Sequence, residues 1–247
     1  MYLAVLHAKF QLLEAFRIPI SIIMGLITPT IGLLFFILPQ HFGGVNTAII
    51  TKMIIGLVIF GVMVNSLFHF AVEISQARER PWGSYTRSLP VGQNSIILSY
   101  LLSSGVLSLI SVIPLLFLSV ILTDANMSMS DLIIGFFLLA LTSIPFMLIG
   151  IAIGYYSVPK SAVAITQVLM LLLAFGGGLF IPPEVFNATI DNLSYMLPSR
   201  SSLEIISWGT NIKAEFPLKA VIVWLAWTLI MFIIILFRVK NEVDSEF

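Results

Sequence analysis

The chain has 247 residues, 59% of them hydrophobic and 10% charged, with a mean hydropathy of +1.07. A soluble domain carries about 25% charged residues, so this chain has too little charge to clothe a water-facing surface. Cysteine is absent and the formal net charge is zero. That excludes a disulfide framework, a thiol nucleophile and a Cys-based metal site, and nothing in the charge balance points to nucleic acid. The apolar runs are long, which suits helices; barrel strands would be short and alternating. The expected class is an all-α integral membrane protein.

Residues 1–17 carry Leu3, Leu6, Phe10, Leu13 and Phe16 at spacings of three and four, with His7, Lys9, Gln11 and Glu14 between them. This period predicts a helix lying in the membrane interface; a helix packed on a soluble partner has the same pattern. Charges spread through the stretch are unlike a cleavable signal peptide. Residues 18–38 contain no charge and suffice for a first span, which needs about 20 residues, with a kink expected at Pro29. Residues 52–73 form the second. On it Asn65, His69 and Glu73 fall four apart, on one helix face. Against lipid such a stripe is costly, so it faces a cavity or another helix; His69 has a functional role or a packing role, and Glu73 reads as a headgroup residue.

The longest charged stretch between apolar segments follows, ARERPWGSYTRSLPV at residues 77–91. Spans three, four and five are expected at 95–123, 132–156 and 161–181, with prolines at 114 and 145 and a Gly176-Gly177-Gly178 run near the end of the fifth. Residues 182–219 are polar yet carry Val185, Phe186, Ile190, Leu193, Tyr195, Leu203, Ile206 and Trp208. That mixture predicts short helices dipping into the interface rather than a disordered loop. A sixth span is expected at 220–237, opened by Trp224 and Trp227.

With a cytoplasmic N-terminus, Lys9, Arg17, Arg78, Arg80, Arg87, Lys160, Arg238 and Lys240 lie inside, and only Lys52, Arg200, Lys213 and Lys219 outside. The positive-inside preference therefore places both termini and the 77–91 segment in the cytoplasm.

Some chemistry is missing. No GxxxxGK[ST] phosphate loop occurs, so the chain lacks the usual means of binding ATP. His69 and Glu73 match neither HExxH nor its inverse, so no metal is expected. Asn187 to Thr189 fits the short glycosylation sequon, a match that arises readily by chance. The predicted spans lack the deep carboxylates or arginines of a gradient-driven carrier, and their halves show no repeat. Energy for transport is then expected from outside the chain.

Six spans, a charged segment after the second and a structured segment between the fifth and sixth resemble the permeases of type-2 ATP-binding-cassette (ABC) exporters. Two pieces carry the resemblance: ARERPWGSYTRSLPV, with Glu79, Gly83 and a closing Leu89-Pro90, and GGGLFIPPEVFNATIDNLSYMLPSR at residues 176–200. The first departs from the family pattern in being slightly shorter between Gly83 and Pro90.

The resemblance implies one transmembrane domain over residues 1–247, with the interfacial helix at its start. It implies a cytoplasmic coupling helix at 76–90 that docks on a separate ATPase subunit, through Arg78, Glu79, Arg80, Trp82, Gly83, Tyr85 and Arg87. Arg, Trp and Tyr are the residue types that anchor interfaces, although a solvated loop that only sets topology has the same composition. It further implies two ATPase subunits carrying ATP and Mg, no cofactor on this chain, and a second permease, identical or paralogous. The path at the permease interface is lined by spans one, two and five, with Asn65, Ser66, His69, Thr166 and Gln167 as polar candidates. Interhelical hydrogen bonding is their other role. Gly176, Gly177, Gly178 and Phe180 are the implied outer gate, or a site of close helix packing. An amphipathic or lipophilic cargo (drug, antibiotic peptide or lipid) suits spans so poor in charge, making this an efflux system of the plasma membrane. A secondary carrier or channel, and a lipid-metabolism enzyme using His69 and Glu73, are the rival classes.

Overall fold

The computed structural model describes residues 2–17, 27, 29–44, 46–79, 93–122 and 128–244. All regular elements among them are helical. Helix α1 is Tyr2–Arg17, and a π-helical stretch, Leu33–Ile37, leads into α2, Leu38–Phe42. Then come α3 (Thr47–Glu79), α4 (Gln93–Leu122), α5 (Met129–Thr142), α6 (Ile144–Tyr156) and α7 (Pro159–Gly176). A 3-10 turn at Pro183–Val185, α8 (Ala188–Ser194) and α9 (Pro198–Gly209) precede α10 (Leu218–Asp244).

Among the described residues, four stretches are long and apolar enough to cross a membrane: Thr47–Glu79, Met129–Tyr156, Pro159–Gly176 and Leu218–Arg238. Two shorter apolar helical stretches, Pro29–Gln40 and Gly105–Ser119, accompany them. The first part of the predicted first span, residues 18–26, and residue 28 fall outside the described residues. Its described end, from Pro29, passes through the π turn, in which the Leu38 N–H reaches back to the Leu33 carbonyl.

Helix α3 is the hub, with 72% of its most apolar stretch buried against 11% for α10. It packs on α4, α6, α7 and α9, while α10 packs on α6 and α9. The closest of these packings is made by glycine. A Cβ on Gly150 would stand 2.7 Å from the Leu67 carbonyl oxygen, and one on Gly154 would stand 2.7 Å from Ile74 Cβ. Small residues four apart let two backbones approach to where larger side chains cannot fit.

The predicted fourth span is two helices, α5 and α6, meeting at Ser143. Pro145 has no N–H to continue the ladder, so the helix breaks there; beside the break Ser143 Oγ donates to the Ala140 carbonyl at 2.8 Å. Helix α7 stops at Gly176, short of the expected Ile181. Gly178 adopts φ +77°, while its N–H bonds the Phe175 carbonyl and the Leu179 N–H bonds that of Ala174. This is a Schellman stop, which needs a left-handed residue that glycine supplies without strain. Prolines at the first position open α7 and α9, where their missing donor costs nothing.

Candidate functional site

The candidate residues lie toward the two ends of α3 and along its middle. Near its N-terminal end, α9 is buried from Pro198 through Ser207, charged residues included. Arg200 Nη2 lies 2.9 Å from Glu204 Oε1 and 3.3 Å from Asp191 Oδ1, and its guanidinium stands 4.7 Å over the Tyr195 ring. Lys213 Nζ reaches Glu204 Oε2 at 2.5 Å, and Lys52, from α3, pairs with Glu184.

The six charged residues line one cavity of about 280 Å³, together with Pro183, Leu203 and Ser207. Three cations face three carboxylates, so each buried charge has a partner of opposite sign, as burial requires. Burial alone would push the Glu184 carboxyl up, but the hydrogen bond and charge of Lys52 outweigh it and hold Glu184 below its ordinary value. Burial would likewise lower Lys213, yet the hydrogen bond and charge of Glu204 raise it.

The glycine run meets this region. A Cβ on Gly177 would stand 2.7 Å from Ser199 Cβ, and Ser199 Oγ donates to the Leu173 carbonyl at 2.7 Å. Gly56 of α3 lets the same turn press close, since a Cβ there would lie 3.1 Å from Leu179 Cα. Phe180 sits among Phe60, Phe175 and Phe36, with ring centroids 4.7, 5.3 and 5.6 Å away. The four gate candidates thus gather where α3, α7 and the π turn approach one another.

The path candidates do not gather. Asn65 Nδ2 donates to Ser111 Oγ of α4 at 2.8 Å, and Ser66 and Ser108 share a 3.1 Å hydrogen bond. One turn on, His69 Nε2 lies 3.1 Å from Glu73 Oε2 on a partly exposed face. On α7, Thr166 is fully buried and Gln167 is exposed. The stripe that periodicity puts on one face therefore divides between interhelical bonding and an accessible His69–Glu73 contact within α3.

At the other end of α3, Arg78 Nη1 donates to the backbone carbonyl of Tyr155 and lies 3.5 Å from that of Gly154. Its guanidinium carbon stands 5.6 Å over the Tyr155 ring. Next along the chain, Tyr156 carries Arg238 of α10 at 5.3 Å over its ring. Glu79 ends α3, exposed. The remaining coupling candidates, Arg80, Trp82, Gly83, Tyr85 and Arg87, lie outside the described residues.

Residue types alone did not point to Lys52, Glu184, Asp191, Glu204, Tyr155 or Gly56. The only available signal was a surplus of charge and small residues in stretches otherwise apolar.

Four helical stretches of membrane length, one of them the buried hub α3, with no strand among the described residues, define a multi-pass α-helical membrane protein. The ABC-2 type transporter family matches residues 3–211, and the chain belongs to that family. It is similar to "Putative transport permease YvfS" of Bacillus subtilis (strain 168), with 24% identity over 146 residues, 59% of this chain. The matched stretch spans 60% of that relative's length.

Proposed function

We propose that the chain is the membrane-spanning permease subunit of an ATP-driven exporter, moved by separate ATPase subunits. The family match over residues 3–211 carries this reading. Two ATPase subunits would bind ATP and Mg and draw together on binding; the coupling segment at 76–90 would follow, and the path between two permeases would open outward. Docking falls to Glu79, Arg80, Trp82, Gly83, Tyr85 and Arg87, whereas Arg78, the remaining coupling candidate, turns onto the end of α6. Six spans result when 18–38 and 95–123 join the four long stretches, all within a single transmembrane domain over residues 1–247.

The division of charge supports the orientation. Lys52, Arg200 and Lys213 share one cavity near the N-terminal end of α3, whereas Arg78 and Arg238 meet the C-terminal end of α6. On the positive-inside preference the first group is outside, and both termini are cytoplasmic. The membrane is then the plasma membrane, and α1, with Phe10 and Leu13 exposed, rides on its inner surface.

A second permease covers the face formed by the π turn and α7. There Phe35, Phe36, Val168, Leu171, Leu172 and Phe175 are exposed beside Gln167. An uncharged path suits an amphipathic or lipophilic cargo such as a drug, an antibiotic peptide or a lipid, with Gly176 to Gly178 and Phe180 as the outer gate.

The test is co-purification of the tagged chain from its native membrane. The unaltered chain brings down an ATPase subunit, and the Glu79→Ala, Trp82→Ala, Arg87→Ala triple variant does not, although it inserts normally. Capture that survives the triple substitution overturns the docking assignment. Failure of the unaltered chain to capture any ATPase, or transport that persists without ATP on a maintained gradient, overturns the function.

A further inference from the structure

The last carbonyls of a helix have no intrahelical partner and form the negative end of its dipole. At the end of α6 they belong to Gly154, Tyr155 and their neighbours, and an arginine from another helix reaches them. Arg78 Nη1 donates to the Tyr155 carbonyl, lies 3.5 Å from that of Gly154, and has its guanidinium over the Tyr155 ring. One residue later the Tyr156 ring takes Arg238 from α10. A guanidinium keeps its proton at any physiological pH and combines planar hydrogen bonding with ring stacking, which a lysine cannot. The joint is therefore fixed in direction.

Just below it the two helices are locked at close range. Gly154 lies against Ile74, and Gly150 against Leu67 and Phe70. Phe70, Ile74, Met147, Leu148, Ile151 and Ile235 form one buried cluster drawn from α3, α6 and α10.

We infer that Arg78 is a positioning residue rather than a docking contact: it clamps the root of the coupling segment to the end of α6, and so delivers motion of that segment to α3, α6 and α10 as one block. This rests on the permease reading above and deepens it. A docking arginine would present its guanidinium to a partner; this one is directed at the chain's own carbonyls and ring.

The natural chain contains no cysteine, so a spin-label pair is introduced without removing any residue in the clamp. Ala77→Cys and Ser157→Cys report the separation of α3 and α6 beside it. The measurement uses the full complex in lipid nanodiscs, nucleotide-free and trapped with ADP, Mg and vanadate. With Arg78 present, the Ala77–Ser157 distance is the same in both states. With Arg78→Ala, ATPase capture is retained, but the distance distribution broadens and shifts on trapping. Arg78→Lys, which keeps one donor and loses the stack, falls between the two and carries the test if the alanine variant fails to reach the membrane.

Loss of ATPase capture in the variants makes Arg78 a docking residue and overturns the inference while leaving the permease reading intact. A distance that responds identically to trapping with and without Arg78 overturns it too. An unaltered chain that captures no ATPase overturns both.

Discussion

The two ends of α3 are secured by different physics. Near Lys52 the fastening is ionic: three cations and three carboxylates around an open cavity, joining α3 to a segment far along the chain. At Arg78 it is a guanidinium on backbone carbonyls and an aromatic ring, with close glycine packing beneath. Pairs beside water weaken with salt and with the titration of either partner. A guanidinium on a helix terminus has no titrating partner. One end can be loosened by its surroundings, and the other moves only with what it holds.

The sharpest way to break that contrast is at the centre of the ionic end. Arg200 is 5% exposed and Glu204 6%, so Arg200→Ala strands a buried carboxylate with Lys213 as its remaining partner. Removing one member of a buried pair costs about 3–5 kcal/mol. Trp227 Nε1 donates to the Met196 carbonyl at 2.8 Å and so senses the docking of residues 182–217 on α10. Thermal unfolding in detergent, followed by tryptophan emission, should show an early transition for this variant. A loss under about 1 kcal/mol, the ordinary scale for a point substitution, would mean that apolar burial of α9 holds this end.

The other end is tested by Gly150→Ala. In a free helix alanine is favoured over glycine by about 1 kcal/mol. Here the new Cβ would meet the Leu67 carbonyl oxygen at 2.7 Å and Phe70 Cβ at 3.0 Å, and overpacking of this kind costs about 1–3 kcal/mol. The sign of the stability change therefore decides the matter. A destabilised variant fits a rigid α3–α6 pair, and a stabilised one means the two helices part easily. Gly178→Ala should lose about 1–2 kcal/mol, the cost of a left-handed residue with a Cβ, because Gly178 holds φ +77° with Pro183 Cγ only 2.8 Å from the added atom. An unchanged melting temperature would show that the stop after α7 does not need that conformation.

What the sequence made legible follows from how far its signals reach. Apolar length marked the long helices. Proline opens α7 and α9 and parts α5 from α6 by local backbone effects, but the expected fifth span began at 161 and the expected fourth ran on through Pro145. The glycine run was seen, but its consequence, a helix ending at Gly176, depends on the hydrogen bonds of the Schellman turn. The Asn65, His69 and Glu73 stripe was read correctly as one helix face. It divides because Ser111 lies within reach of Asn65, while His69 pairs within its own helix. Partners such as Lys52 and Glu184, 132 residues apart, or Arg78 and Tyr155, 77 apart, leave no periodic trace in either stretch. Those pairings come from the packing of the whole bundle.

The smallest expected effect lies in the pair that ties α3 to the ionic end. Lys52 and Glu184 are 28% and 52% exposed, so Lys52→Ala should cost only about 0.2–1 kcal/mol and less in high salt. Its pH dependence is more telling than its size. Glu184 titrates below its ordinary value in the folded chain. Its contribution is thus complete above the unfolded pKa and is lost as pH falls through the folded one. Lys213, raised by Glu204, behaves in mirror image: its contribution is complete below the ordinary lysine value and is lost as pH rises through the raised one. Melting of the unaltered chain should therefore drop on both an acid and an alkaline limb. Lys52→Ala should soften the acid limb and leave the alkaline limb alone, and Lys213→Met should do the reverse. An acid limb unchanged by Lys52→Ala would mean that Glu184 does not help fasten α3, and the ionic end would then rest on Arg200, Lys213, Glu204 and Asp191.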